Sequence, residues 1–322
     1  MSNSFLLVSL HFQNLYMNHI FIVNPCAGKT NGEQVVRESV AALESLRDSE
    51  IYVTKSAGDA TAYVASRCEA TPDERLRFYA CGGDGTLNEV VGGVIGHDNA
   101  EVTSFPIGSG NDYVKYYGGK KEFVNLGRLV EGNVEEVDVM RIGSRYALNM
   151  CNFGFDAIAC RAMNEVRRKP LIGGKNAYTT GIVKALFTGR RTNCVVKVDG
   201  TKIHEGDMLL CTMGNGRYIG GAYKCSPLSM NDDGLIEVSL FKPLTLLQFA
   251  RMLGSYRDGT YMSREDVQAK LVYLRGRTVE IETEKEIDFC IDGEMMRGER
   301  FKVEQMHRAV RFVVPKGGIA ES

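Results

Sequence analysis

The run Cys81-Gly82-Gly83-Asp84-Gly85-Thr86-Leu87-Asn88-Glu89 holds the residues with the clearest chemical purpose in this chain. Its glycines let a backbone approach phosphate oxygens without a Cβ in the way. A helix starting here would add unpaired N–H groups and the positive end of its dipole. Asp84 would repel a bare phosphate. It makes sense beside one if it holds Mg2+, directly or through water, with the metal bridging the phosphates. The plainer reading is a tight strand-to-helix turn with Asp84 as its cap.

Three more segments carry candidate chemistry. Asn24-Pro25-Cys26-Ala27-Gly28-Lys29 follows an apolar strand signal but lacks the spacing of a Walker A loop. Lys29 could reach a phosphate as a point charge, or be a solvated loop lysine. In Pro106-Ile107-Gly108-Ser109-Gly110-Asn111-Asp112, Ser109 can donate to a phosphate or ribose, and Asp112 supplies a second acid at the same sheet edge. Asp138, after the next strand-like run, could supply a third. Three carboxylates near one metal–nucleotide site suit phosphoryl transfer, where positioning and charge neutralisation dominate; each alone is more often a turn or cap residue. Finally, Phe289-Cys290-Ile291-Asp292-Gly293-Glu294 delivers two acids at the end of a strand. A hydroxyl is a poor nucleophile, so a carboxylate that accepts its proton is chemically sensible. Asp-Gly is also the commonest hairpin signal, and the local sequence alone favours that turn.

The elements that must position these residues alternate. Ile20–Val23 reads as a buried strand, and Glu33–Leu46 carries a helical stripe at Val36, Val40, Leu43 and Leu46. A strand over Ile51–Thr54 and a helix from Gly58-Asp59 to about Cys68 follow. Next come a strand over Arg77–Cys81, a helix over Leu87–Ile95 weakened by Gly92 and Gly93, and a strand over Val102–Pro106. This alternation predicts an α/β domain with a parallel sheet. In such sheets ligands bind beyond the carboxyl ends of the strands, where all three glycine-containing loops fall. From about Val134 short strand signals dominate, interrupted by helical stretches near Asp156–Val166, Asn176–Phe187 and Leu246–Tyr256. They predict a mainly antiparallel sandwich or open barrel with inserted helices. The expected division is an extension over 1–16, a nucleotide-binding α/β domain over 17–133, a β-rich acceptor domain over 134–315 and a tail over 316–322.

The net charge of −1 leaves no global basic field for nucleic acid. Attraction to an anionic surface must be local; Arg161, Arg167, Arg168, Lys169 and Lys175 form one candidate run, beside apolar stretches at Ile158–Met163 and Leu171–Phe187. The nine cysteines form no C-x-x-C pair, which suits a reducing cytosol. The histidines are scattered, which argues against zinc. No apolar run reaches the roughly 18–20 residues of a membrane helix.

Taken together, in their order and spacing, Asn24–Lys29, Gly82–Glu89, Pro106–Asp112 and Asp292–Glu294 resemble the diacylglycerol kinase catalytic family, with its bacterial lipid kinases and its sphingosine and ceramide kinases. The likeness runs from about His19 to Pro315. It includes Gly214–Gly221 and Asp232-Asp233-Gly234-Leu235, a pattern typical of the bacterial branch. The resemblance implies an active site in a cleft between the two domains and transfer of the γ-phosphate of ATP to a lipid hydroxyl, diacylglycerol to phosphatidic acid first among the acceptors. It implies ATP contacts at Asn24–Gly28, Thr54, Gly83–Glu89 and Ser109, with Lys175 as a phosphate-facing lysine. It implies Mg2+ organised through water by Asp84, Asp112 and Asp138, and a separate structural Mg2+ at Met230, Asp233 and Leu235. One of Asp292 and Glu294 would be the base, Asp292 being preferred on mechanism. Ser109 stands where the family often has threonine, which keeps the hydroxyl. A lipid kinase without a membrane span would work from the cytoplasm with transient membrane contact; phosphatidylglycerol and sphingoid bases stay open as acceptors, as does a homodimer. Two rivals share the fold: an NAD kinase, with the same G-G-D-G-T loop, and a catalytically silent lipid-binding regulator. A Rossmann dehydrogenase is disfavoured because no G-x-G-x-x-G follows the first strand.

Overall fold

The structure is a computed structural model that describes residues 16–28, 31–167 and 191–318. Lys29, Lys175, the extension before residue 16, the basic run beyond Arg167 and the helix expected over Asn176–Phe187 lie outside the described residues. The chain divides into two compact units, Met1–Val137 with Arg308–Ser322, and Asp138–His307.

The first unit alternates strand and helix: β1 (Met17–Val23), α1 (Gly32–Ala41), β2 (Glu50–Val53), α2 (Asp59–Ala70), β3 (Arg75–Gly82), α3 (Asp84–Val94), β4 (Ala100–Pro106), α4 (Lys120–Phe123) and α5 (Leu126–Val130). The strands run in the order β2-β1-β3-β4, all parallel. Every residue of β4 and all of β3 after Arg75 are buried, as expected of parallel strands covered on both faces. On α1, Val36 and Val40 are buried, and the Asn31 side chain accepts from the Gln34 amide to cap the helix. Gly93, which the sequence offered as a weakness in its helix, has a packing reason. A Cβ there would lie 2.7 Å from the Val64 side chain of α2, so its absence lets α2 and α3 close together.

The second unit contains β6 (Arg145–Ala147), β7 (Met150–Gly154), α6 (Phe155–Arg167), β8 (Thr192–Val198), β9 (Thr201–Met208), β10 (Leu210–Gly214), β11 (Ile236–Phe241), α7 (Leu246–Asp258), α8 (Glu265–Gln268), β12 (Leu271–Gly276) and β13 (Thr278–Ile291). The strand β5 (Asn133–Ile142) enters it and β14 (Glu294–Val314) leaves it. The order β12-β11-β10-β7-β13-β14 is antiparallel throughout, and β8 extends it from β13 with its hairpin partner β9. One face packs a core around Phe153, Phe289 and Phe301, with the last two rings stacked at 4.3 Å. The other packs Leu210 and Phe241 against Phe155 of α6 and Phe249, Met252 and Tyr256 of α7. This is the antiparallel β-rich domain that the strand signals predicted.

The end of β14 differs from the expected division. Arg308–Val314 belongs to the first unit. Phe312 pairs in parallel with Val102, the Thr103 hydroxyl donates to the Val313 carbonyl at 2.7 Å, and Phe312 packs on Tyr113 and Tyr117. Arg311 reaches Glu101 at 2.7 Å, a carboxylate that also meets Arg75 and Arg77 and is 1% exposed. The change falls at Arg308, which adopts a left-handed φ of 50° within β14.

Candidate functional site

Three loops meet beyond the carboxyl ends of β1, β3 and β4 in the first unit. The Asn24 amide N–H donates to the Cys81 carbonyl at 3.0 Å, and its side chain donates to the Thr86 hydroxyl at 3.1 Å. The Ile107 and Gly108 amides both donate to the Gly82 carbonyl, at 3.0 and 2.9 Å. Glycine is required at these approaches. A Cβ on Gly108 would lie 2.5 Å from the Gly83 Cα, and one on Gly82 would lie 2.1 Å from the Thr86 Oγ1. Gly28 has φ +78°, and a Cβ there would meet the Ile107 carbonyl at 2.5 Å. The result is a backbone cradle at the start of α3, whose N-cap Gly83 brings no side chain to the helix amides.

The acids sit at the rim of this cradle. Asp84 opens α3, and its Oδ1 accepts from the Asp112 and Tyr113 amides at 2.6 and 3.2 Å. That contact fixes the Pro106–Asp112 loop against the Gly82–Thr86 loop. Asp84 Oδ2 lies 2.9 Å and Asp112 Oδ2 3.8 Å from the point a Cβ on Gly110 would occupy. Two carboxylate oxygens therefore converge on a space kept open by glycine. Lys115 pairs with Asp112. Ser109 is exposed on the same loop, and Asn111 holds the loop by donating to the Gly108 carbonyl at 2.8 Å from a φ of 52°. The Oδ1 of Asn111 is buried without a hydrogen-bond partner. Thr54 caps β2 through its amide on the Val23 carbonyl at 2.9 Å. Glu89 anchors α3 to the start of α2, accepting from the Gly58 amide at 3.0 Å. Cys81 is fully buried, and burial pushes its thiol well above the usual range, which makes it core rather than nucleophile.

The remaining candidates form a second network, within the second unit. Asp292 and Gly293 have φ of 47° and 92° and join Ile291 to its partner Glu294, so they are the two central residues of a hairpin turn. The Asp292 carboxylate also accepts from the Leu148, Met150 and Asn149 amides at 2.7, 2.7 and 3.1 Å. Glu294, first residue of β14, is exposed. Asn149 continues the network: its carbonyl accepts from the Asn215 and Gly216 amides at 2.9 and 2.8 Å. Asn215 donates to the Asp138 and Leu148 carbonyls at 2.7 and 2.8 Å. Asp138 is wholly buried. It accepts from the Gly234 amide at 2.6 Å and the Gln305 side chain at 3.1 Å, and meets His307 at 2.9 Å.

The structure thus ties Asp138 to the loop carrying Met230, Asp233 and Leu235. In that loop Asp233 accepts from the Leu235 amide at 3.0 Å and pairs with Arg275, while Met230 is exposed. Lys115, Asn149, Gln305 and His307 were not among the candidates, whereas Asn215 lies in the Gly214–Gly221 run. Asn149, Gln305 and His307 are single polar residues whose partners are distant in sequence.

Among the described residues no group of three or more His, Cys, Asp or Glu side chains is placed to hold a metal. The pair Asp84 and Asp112 fits Mg2+ in a different way. A hard ion that keeps its waters takes one or two carboxylates and completes its shell with substrate phosphates. No helix among the described residues is long and apolar enough to cross a membrane.

Residues 149–314 match the YegS C-terminal NAD kinase beta sandwich-like domain, and residues 18–142 match the diacylglycerol kinase catalytic domain. A protein of Enterobacter sp. (strain 638) named "Probable lipid kinase YegS-like" is 26% identical, over 93% of this chain and 97% of its own. One of the same name from Pseudomonas putida is 29% identical, over 89% and 94%. A crystal structure described as a diacylglycerol kinase from Bacillus anthracis str. Sterne shares the fold, with a TM-score of 0.66 at 19% identity over 94% of this chain and 98% of that one.

Proposed function

The chain belongs to the lipid kinases that join a diacylglycerol kinase catalytic domain to a YegS-type C-terminal domain, and from that premise we propose that it moves the γ-phosphate of ATP to the hydroxyl of diacylglycerol. The observation that carries the reading is the cradle of glycine loops at the start of α3, with Asp84 and Asp112 converging at its rim.

In this reading the amides of the first turn of α3 and of the Gly108–Gly110 stretch receive the nucleotide phosphates. The Asn24–Gly28 loop and Thr54 border the rest of the nucleotide. Asp84 and Asp112 are the residues that would hold Mg2+, which when bound neutralises the phosphate charge that grows during transfer. Asp84 has a second duty, since its Oδ1 holds the Asp112 amide and so sets the loop geometry.

Of the two acids near the hairpin, Glu294 is the better base. Asp292 spends its carboxylate on three backbone amides, which leaves little of its acceptor capacity for a substrate hydroxyl. Glu294 is exposed and adjoins that rigid turn. We therefore assign proton acceptance to Glu294 and the positioning of its turn to Asp292. The acceptor is a membrane lipid, so the enzyme works at a bilayer surface from the cytoplasmic side.

Purified protein with Mg-ATP is expected to phosphorylate diacylglycerol in mixed micelles. Transfer to phosphatidylglycerol or a sphingoid base instead would move the acceptor while keeping the lipid kinase; transfer to NAD alone would overturn the reading.

A further inference from the structure

Helix α6 meets the strand that carries the acidic hairpin through two adjacent contacts. Arg161 pairs with Asp288 at 2.7 Å. One residue earlier, the Cys160 and Cys290 sulfurs lie 3.6 Å apart. Asp288 and Cys290 are two apart on β13 and so share a face. The Cys160 thiol also lies 3.6 Å from the Gly293 carbonyl, in the turn between Asp292 and Glu294. Cys160 is half-buried and Cys290 is buried beneath it.

We infer that Cys160 and Cys290 are a redox-sensitive pair, and that a peroxide closes them into a disulfide that restrains the Asp292–Glu294 hairpin. The two sulfurs need to approach from van der Waals contact to about 2.05 Å, a short displacement for side chains already facing each other. The chemistry balances without a further reactant. The Cys160 thiolate attacks the peroxide, an S–O bond forms, the O–O bond breaks and hydroxide leaves. The Cys290 sulfur then attacks the Cys160 sulfenic acid, forming S–S and releasing water. In sum two thiols and one hydrogen peroxide give one disulfide and two waters. The contact with Cys160, and then burial, push the Cys290 thiol well above its usual range, which fits it as the resolving rather than the first-attacking sulfur. Closure removes the Cys160 thiol from the Gly293 carbonyl and fixes α6 to the strand two residues before Asp292. A displacement of about 1 Å at a reacting group is enough to lower turnover roughly 10- to 100-fold. The disulfide stands on its own geometry; its effect on phosphate transfer rests on the kinase reading above.

The test uses the full chain, fully reduced, then treated with a few equivalents of hydrogen peroxide, alkylated, digested and analysed by mass spectrometry. The expected result is a peptide linking Cys160 to Cys290 that dithiothreitol abolishes. ATP-dependent phosphorylation should fall in parallel and recover on reduction, and Cys160→Ser and Cys290→Ala should each keep their activity through the peroxide treatment. If both cysteines remain alkylatable while others oxidise, or Cys160 goes on to sulfinic acid without linking, the pair is overturned. A clean link with unchanged turnover overturns the control of the hairpin. If no turnover is seen even in the reduced protein, the kinase reading fails, and the linked peptide still decides the disulfide.

Discussion

Residue by residue, the acids that the sequence could only group have separate surroundings. Asp84 touches the neighbouring loop with one oxygen and faces the Gly110 space with the other. Asp84→Ala should therefore lose both, and turnover should fall by at least about 100-fold, as when a preorganised electrostatic partner is removed. A steady-state assay at saturating ATP checks this, and near-normal kcat in the variant would sink the assignment. For the hairpin acids the expectations diverge. Glu294→Gln should keep its melting temperature while kcat drops by roughly 100- to 10,000-fold with little change in KM for ATP. Asp292→Asn removes the charge from three amide contacts and should destabilise by about 2–4 kcal/mol. A melting curve beside a kcat measurement distinguishes the two; the reverse pattern would return the base to Asp292. The position of Asp84 at a strand-to-helix turn was legible because its motif is contiguous. The partition between Asp292 and Glu294 was not, because it depends on the Leu148–Met150 amides more than 140 residues away.

At the scale of elements, the parallel strands and the loops at their ends could be read from the chain, since buried apolar runs ending in glycine turns are local signals. The strand Val102–Pro106 and the first half of the helical stripe, Val36 and Val40, fall where the pattern put them, but the helix ends at Ala41, and Leu43 and Leu46 lie beyond it. The register of the loops against each other could not be read. It rests on close approaches such as Gly108 against Gly83, which only the folded chain reveals. Gly108→Ala forces a Cβ into backbone that cannot move aside cheaply, and overpacking of this kind costs roughly 1–3 kcal/mol. Because the strain falls on the loops proposed to receive phosphate, KM for ATP should rise about tenfold or more. Equilibrium ATP binding would contradict the cradle if this variant bound as well as the wild type. The pairing of the end of β14 was hidden for a related reason. Val310–Val314 reads as one more strand of the second domain, yet residues Arg311–Val313 meet Glu101, Val102 and Thr103, some 200 residues earlier.

At the scale of the whole molecule, pH enters through the first unit. Burial, and then Arg77, lower His19 from 6.5 to about 4. The unfolded chain therefore takes up a proton at His19 before the folded one does. His19 should weaken the fold as pH drops from 6.5 toward 4, by roughly 2–3 kcal/mol in all, and have no such effect above 7. Urea unfolding of wild type and His19→Gln at pH 7.5 and pH 5 checks the sign: the variant should lose less stability between the two, and equal losses would contradict it. Phosphate transfer itself is tested by a single acceptor screen. Purified protein is incubated with Mg2+ and γ-labelled ATP in micelles of diacylglycerol, phosphatidylglycerol or a sphingoid base, with NAD in a parallel reaction. Label is expected in the organic phase, strongest with diacylglycerol and absent in Asp84→Ala. Label recovered only in NAD, or organic-phase label that persists in Asp84→Ala, would contradict that expectation.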